Sequence, residues 1–196
     1  SEWYNWGDPS LIERYHALRK AGAEAVIFIA NDRESIILVK EMATLPQEQR
    51  LPIVAHWGVT GGDFFRLTGS AAKAVDFSVV QTYSFIGKSD PIARKVLAGL
   101  KPVTGNDDPR KVASPVGVAH AYDLVHLLAR AIKQAKSADR QAVRDALEKL
   151  GPYQGLVRRL DRPFTNKRHD ALSINEVFMA RYADDGAIER IPRSGR

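Results

Sequence analysis

At 196 residues with 44% apolar side chains, the chain has the length and make-up of one α/β domain, or one and a half small ones, with a sizeable core. The net charge of +6 raises the question of nucleic acid. The basic residues are scattered over helix faces, however, and only Arg158, Arg159 and Arg162, and Lys167 with Arg168, cluster, so nucleic acid is not an expected partner. The absence of cysteine excludes a disulfide framework and thiol chemistry, and no apolar run approaches the roughly 20 residues of a spanning helix.

Ser1 to Trp6 alternates large apolar residues and reads as a strand, followed by Gly7, Asp8 as a helix cap and Pro9 as a first-turn proline. A strand starting at the first residue, without a leader, reads as a piece of a longer precursor. The helix opened by Asp8 carries Leu11, Ile12, Tyr15 and Leu18 on one stripe and Glu13, Arg14, Arg19 and Lys20 on the other, and Gly22 ends it. The central unit spans Ala23 to Trp57. A β-branched run over residues 23–30 predicts a buried strand, Asn31 and Asp32 can cap the helix that follows, and Pro52 to Trp57 closes a βαβ element with parallel strands. Ligands in open α/β sheets gather outside the carboxyl ends of the strands, which puts Asn31, Asp32, His56 and Trp57 on one rim.

Gly61 and Gly62 turn into a short helix through Phe64, Phe65 and Leu67 that ends at Gly69, and residues 74–83 read as another strand. The alternating order predicts a doubly wound parallel sheet. Asp90 and Pro91 begin a short helix through Leu100, and a long loop runs from Lys101 to Ser114. Ser114 and Pro115 then open the longest helix, with Val118, Ala121, Tyr122, Val125, Leu128, Ala129 and Ile132 on one face. A second helix spans about Asp139 to Leu150. The remainder holds Tyr153 to Val157, a basic loop, a strand from Leu172 to Tyr182 and a hairpin-like turn at Asp184, Asp185 and Gly186.

No nucleophile with a base, metal cluster or phosphate-cradling loop is legible, so an enzyme is not expected, and no cofactor or metal is implied. His120, Asp123 and His126 lie three apart on one helix face, a metal-like spacing that reads more naturally as the helix's wet side.

Several pieces, in this order, resemble the type I periplasmic solute-binding proteins of ABC importers, the branched-chain amino acid binding family. They are Gly7-Asp8, Leu18 to Val26, the polar corner to Glu34, Leu67-Thr68-Gly69 before Ala71-Ala72, Ala119 to Leu124, Asp139 to Leu150, and Tyr153-Gln154-Gly155-Leu156. The resemblance covers nearly the whole chain and implies a Rossmann-like parallel-sheet lobe of a two-lobed Venus-flytrap fold, with helices belonging to the other lobe. Residues 1–85 would form the second lobe without its first strand, residues 86–172 would return to the first lobe, and residues 173–196 would cross back. The implied protein is a secreted, periplasmic transport receptor that works with an ABC membrane permease. Its partners would include a small-molecule ligand, aromatic or amino acid, and the missing N-terminal portion of the same protein. The apolar face of the long helix would need a sheet that this sequence does not supply, so the chain is expected to be held by that portion or by an oligomer.

The resemblance carries ligand contacts to strand ends. Asn31 stands where amino acid binders often place an aromatic residue, and Trp57 where they place the carboxylate that pairs with a ligand ammonium. An ammonium without such a partner would be poorly compensated in a closed cleft, although Asp32 could substitute. Trp57, His56 and Tyr83 instead offer flat surfaces with donors at their edges, which suits an aromatic carboxylate. Trp57 and Tyr83 read equally as core aromatics, His56 as a satisfied strand-end histidine, and Asn31 and Asp32 as helix caps. The binding module could equally be a sensory ectodomain, because fold does not decide function.

Overall fold

The β-branched runs that the sequence marks as strands do form strands in the computed structural model, which describes residues 1–192. In chain order the elements are α1 (Ile12–Lys20), β1 (Val26–Phe28), α2 (Asp32–Ala43), β2 (Ile53–Ala55), α3 (Phe64–Thr68), α4 (Ala71–Ala74) and β3 (Phe77–Gln81). There follow α5 (Pro91–Thr104), α6 (Pro115–Ala135), α7 (Arg140–Leu147), β4 (Tyr153–Gln154), β5 (Arg159–Leu160), β6 (Phe178–Tyr182) and β7 (Ile188–Arg190). The chain divides into two units, one from residues 1–81, 110–114 and the stretch from Phe178 onward, the other from residues 82–109 and 115–177.

The first unit is built on a five-stranded sheet in the order β1-β2-β3-β6-β7. Strands β1, β2 and β3 run parallel, with Val26 beside Ile53 and Ile53 beside Phe77, while β6 and β7 add antiparallel at one side. Val26, Phe28, Ile53, Ala55, Phe77 and Val79 share one core with Leu38, Val39 and Met42 of α2, so alternate strand residues and one stripe of the helix meet, as the 2.0 and 3.6 periodicities require. Phe64 stacks on Phe77 at 4.8 Å and on Tyr182 at 5.2 Å. The β6–β7 turn needs glycine at Gly186, where φ is +84° and a Cβ would stand 2.7 Å from the Phe65 ring. Residues 110–114 join this unit because the Arg110 guanidinium reaches Asp185 and Glu189, each at 2.7 Å; the pairing holds the Asp185 carboxyl down at about 2.

The second unit centres on α6 and α7, whose Leu127, Ala131, Val143 and Ala146 form a core with Leu150, Tyr153 and Leu160. Asp139 caps α7 by accepting from the Ala142 N–H at 3.0 Å, and Asp90 caps α5 through the Ala93 N–H at 2.9 Å. Strands β4 and β5 form a two-residue antiparallel ladder.

Several sequence expectations are corrected. Ser1 to Trp6 is not a strand, since among the described residues no neighbouring strand is there to take its N–H and C=O groups. Asp8 does not cap α1; its carboxylate accepts from the Asn5 N–H at 2.8 Å and closes a turn, and the helix begins at Ile12. Helix α5 runs on to Thr104 with Pro102 inside it, and the left-handed Gly105 stops it. The predicted loop from Lys101 is shortened accordingly. The final strand shrinks to Phe178–Tyr182, its expected first half being a 3-10 turn at Ile174–Glu176 with a Ser173–Glu176 capping box.

Helix α6 buries Val116, Ala119, Asp123, Leu127 and Ala131, a row that includes a carboxylate, while Val125, Leu128 and Ile132 of its apolar face are exposed together with Leu124, in line with a face whose covering sheet this sequence does not supply. Packing of α7 and a hydrogen-bonded Asp123 rotate the helix away from its most apolar stripe.

Candidate ligand-binding site

Parallel pairing of β1 and β2 brings their carboxyl ends side by side, and the His56 N–H donates to the Phe28 carbonyl at 2.9 Å as the chain leaves β2. Asn31 precedes α2 in an extended conformation; its carbonyl accepts from the Ser35 hydroxyl at 2.6 Å, but its side chain makes no capping bond. The amide is therefore not spent on the helix end. Gly58 shows how closely the strand ends approach: a Cβ there would stand 2.7 Å from the Ala30 carbonyl, 3.2 Å from Asn31 Oδ1 and 3.3 Å from His56 Nδ1. Only glycine fits, and Asn31 and His56 converge on it.

The Gly58 N–H donates to His56 Nδ1 at 3.1 Å, which places the proton of the neutral ring on Nε2. Burial lowers the pKa of His56 below the ordinary 6.5, so the ring is neutral at pH 7 and carries an N–H donor on its other edge. Its centroid lies 4.0 Å from the Trp57 ring at 38°. Trp57 opens a 3-10 turn (Trp57–Thr60) that the Thr60 hydroxyl braces by donating to the Trp57 carbonyl at 2.8 Å. The unfolded chain takes up a proton at His56 near pH 6.5 while the folded ring resists it, so the folded state binds fewer protons. Stability is therefore expected to be full above pH 6.5 and to fall as the pH drops through the lower folded value. A His56→Gln variant should lose less between about pH 7.5 and pH 5 in urea titrations. His120, whose pKa burial also lowers, adds a loss of the same sign that the variant retains.

Asp32 begins α2, but its carboxylate is turned against the glycine loop, where a Cβ at Gly62 would stand 2.0 Å from Oδ2. Its charge adds to burial in raising the Tyr182 pKa. Gly62→Ala is expected to cost about 1–3 kcal/mol in urea unfolding through this overlap; an unchanged midpoint would mean that Asp32 simply swings away.

The structure thus gathers Asn31, Asp32, His56 and Trp57 at neighbouring strand ends and places Tyr83 in the other unit. Tyr83 is 3% exposed, packs edge-on against Phe85 at 4.9 Å, and has a buried hydroxyl without a hydrogen-bond partner. Burial first, then Asp90 and Asp123, raises its pKa.

Trp6 escaped the sequence reading as a site residue. With Gly7 it lines a cavity of about 340 Å³ together with Asn31, Asp32, Arg33 and Glu34. Its signal was available: it ends an apolar run just before a Gly-Asp-Pro turn, the same position that singled out Asn31 and Trp57.

The metal-like trio on α6 resolves differently. Asp123 does not belong to a wet side: it is 7% exposed, its Oδ1 accepts from the Tyr153 hydroxyl at 2.9 Å and the Leu156 N–H at 2.7 Å, and its Oδ2 accepts from the Val157 N–H at 3.0 Å. Among the described residues no group of three His, Asp or Glu side chains is placed to hold a metal ion.

Comparison with protein-family models gives no match, and comparison with curated protein sequences gives no significant one. Solved structures give a consistent answer: the chain has the fold of the type I periplasmic binding proteins, in a portion consistent with their C-terminal part. A periplasmic binding protein type 1 from Bordetella pertussis Tohama I shares 22% identity over 96% of this chain and 51% of its own, with a TM-score of 0.76. A leucine binding protein, LivK, from Thermotoga maritima MSB8 shares 16% over 97% of this chain and 50% of its own, at 0.73. An ABC transporter solute binding protein from R. palustris in complex with benzoate shares 12% over 96% of this chain and 48% of its own, at 0.65. The chain spans about half the length of the structures it matches.

Proposed function

We propose that this chain is part of an extracytoplasmic, periplasmic solute-binding receptor of an ABC-type importer, with a membrane permease as its partner, and that it binds a small organic acid of the aromatic carboxylate class without catalysing a reaction. In this reading the first unit belongs to the second lobe of the receptor and the second unit to the segment returning to the first lobe, the remaining N-terminal portion being supplied by the same protein.

The observation that carries the ligand class is the pairing of His56 and Trp57 beside Asn31 at the carboxyl ends of β1 and β2. The indole face suits an aromatic ring, and the His56 Nε2–H and the Asn31 amide are neutral donors for a carboxylate. An α-ammonium is less well served, because the carboxylate of Asp32 is turned toward Gly62. The solved structures that share the fold include both a benzoate complex and a leucine binding protein, so fold alone does not choose between these classes.

The test is a thermal-shift and calorimetric screen of the longer parent protein against hydroxybenzoates, coumarate-like acids and the proteinogenic amino acids. Stabilisation by aromatic acids is the expected result. Stabilisation by leucine or another amino acid, with none from the aromatic acids, would overturn the ligand class while leaving the receptor reading in place.

A further inference from the structure

We infer that the solute is an aromatic acid carrying a hydrogen-bond donor on its ring, a hydroxyl or an amino group, and that Glu34 receives this donor in the cavity beside Trp6; the inference narrows the ligand class proposed above and rests on that reading. Glu34 lies in the first turn of α2 and is 4% exposed. A carboxylate so far removed from water ordinarily accepts several hydrogen bonds or faces a cation. Glu34 has little of either. Among the described residues its one hydrogen bond comes from the Gly7 N–H to Oε1 at the long distance of 3.5 Å, Oε2 accepts none, and no ion pair reaches it.

The neighbouring donors are committed elsewhere. Tyr4, whose pKa is raised by burial and then by the charge of Glu34, donates its hydroxyl to the Ile29 carbonyl at 3.1 Å, and the Ser35 hydroxyl goes to the Asn31 carbonyl at 2.6 Å. Arg33 lines the same cavity without pairing to the carboxylate. The start of α2 offsets part of the cost of the charge, because its aligned peptide groups favour a negative group there, yet no N–H of that turn bonds to it. The donor that Glu34 lacks has to come from outside these residues.

The cavity of about 340 Å³ gives that donor a way in. Asn31 belongs both to this cavity and to the strand-end rim, where the close approach at Gly58 brings it near His56. A solute whose carboxylate meets the His56 Nε2–H and the Asn31 amide extends past Asn31 with its far side, where the exposed Trp6 indole offers a flat apolar wall and Glu34 an acceptor. Charge fixes the direction of entry. Asp32 and Glu34 repel the carboxylate of the solute toward the neutral donors of the rim, and they attract a hydroxyl or amino hydrogen. Benzoate would leave Glu34 as poorly partnered as before, and an ether in place of the hydroxyl would set an acceptor against an acceptor.

Calorimetry on the longer parent protein with benzoate, meta- and para-hydroxybenzoate, para-aminobenzoate and para-methoxybenzoate tests the inference. At least one hydroxy or amino acid of this series should bind at least about tenfold more tightly than benzoate and the methoxy acid, because a buried acceptor left unpaired rejects the analogue that lacks the donor. A preference for hydroxyl identifies a phenol as the donor, and a preference for amino an aniline. Equal affinity across the series would overturn the inference and leave the aromatic-acid reading in place; binding by none of them would remove that reading and the inference with it. Glu34→Met, which removes the acceptor and keeps the volume, supplies a second readout and should bring the preference over benzoate to within about threefold. Loss of stability in this variant with the preference intact would assign the missing donor to protein outside this chain and overturn the inference. The unsubstituted protein decides the matter by itself if the variant fails to fold.

Discussion

Asp123→Ala is expected to destabilise the second unit by about 3–5 kcal/mol, the sum of several buried donors left unpaired at about 1–3 kcal/mol each. The side chain accepts three hydrogen bonds, two of them from consecutive backbone N–H groups at Leu156 and Val157, and the turn that presents them is closed down onto the carboxylate. A Cβ at Gly155 would come within 2.7 Å of Asp123 Oδ2, so the backbone approach itself depends on glycine. Once the carboxylate is removed, the Tyr153 hydroxyl and both N–H groups lose their acceptor. Asp123→Asn keeps one acceptor and should cost about half as much. Urea titration followed by helix circular dichroism measures both variants; a loss below about 1 kcal/mol for the alanine variant would show that the turn reorganises around water.

Trp57→Ala in the longer parent protein is expected to weaken an aromatic acid by about 1–3 kcal/mol, or some 5- to 150-fold in Kd, with little change in the unfolding midpoint. The stability expectation follows from position: Trp57 opens a short turn, is half-buried and touches the His56 ring, while the core of the unit is formed by Phe28, Phe64, Phe77 and the aliphatic residues around them. Isothermal titration with the best acid from the screen, on both proteins, provides the measurement. An unchanged Kd would return Trp57 to a packing role, and an equal loss of stability would show that the ring props up the turn and acts on the ligand only through it.

How far the sequence could be read depended on whether the deciding interaction was local. The βαβ element was legible because β-branched runs, glycine stops and strand-end polar residues lie within a few residues of each other, and the rim of Asn31, Asp32, His56 and Trp57 follows from parallel pairing. The direction of Asp32 was not legible, since it depends on Gly62, thirty positions away. Tyr83 lies past the end of β3, two positions beyond Gln81, where the chain passes into the other unit; a boundary expected after residue 85 kept it with the strand ends. The burial of Asp123 on α6 was not legible either, because a carboxylate at that position argues for solvent, whereas three donors about thirty positions later bury it.

The stripe of Leu124, Val125, Leu128 and Ile132 also bears on how the chain would behave in the laboratory. A helix more than five turns long, bathed by buffer on its greasiest side, gives an isolated preparation a reason to clump, to stick to hydrophobic resin and to light up dyes such as ANS. Such behaviour would come from a well-folded helix with nothing over it, and should not be mistaken for a melted or molten state. Adding back whatever lies over those four side chains should abolish the dye signal while leaving the helix content unchanged.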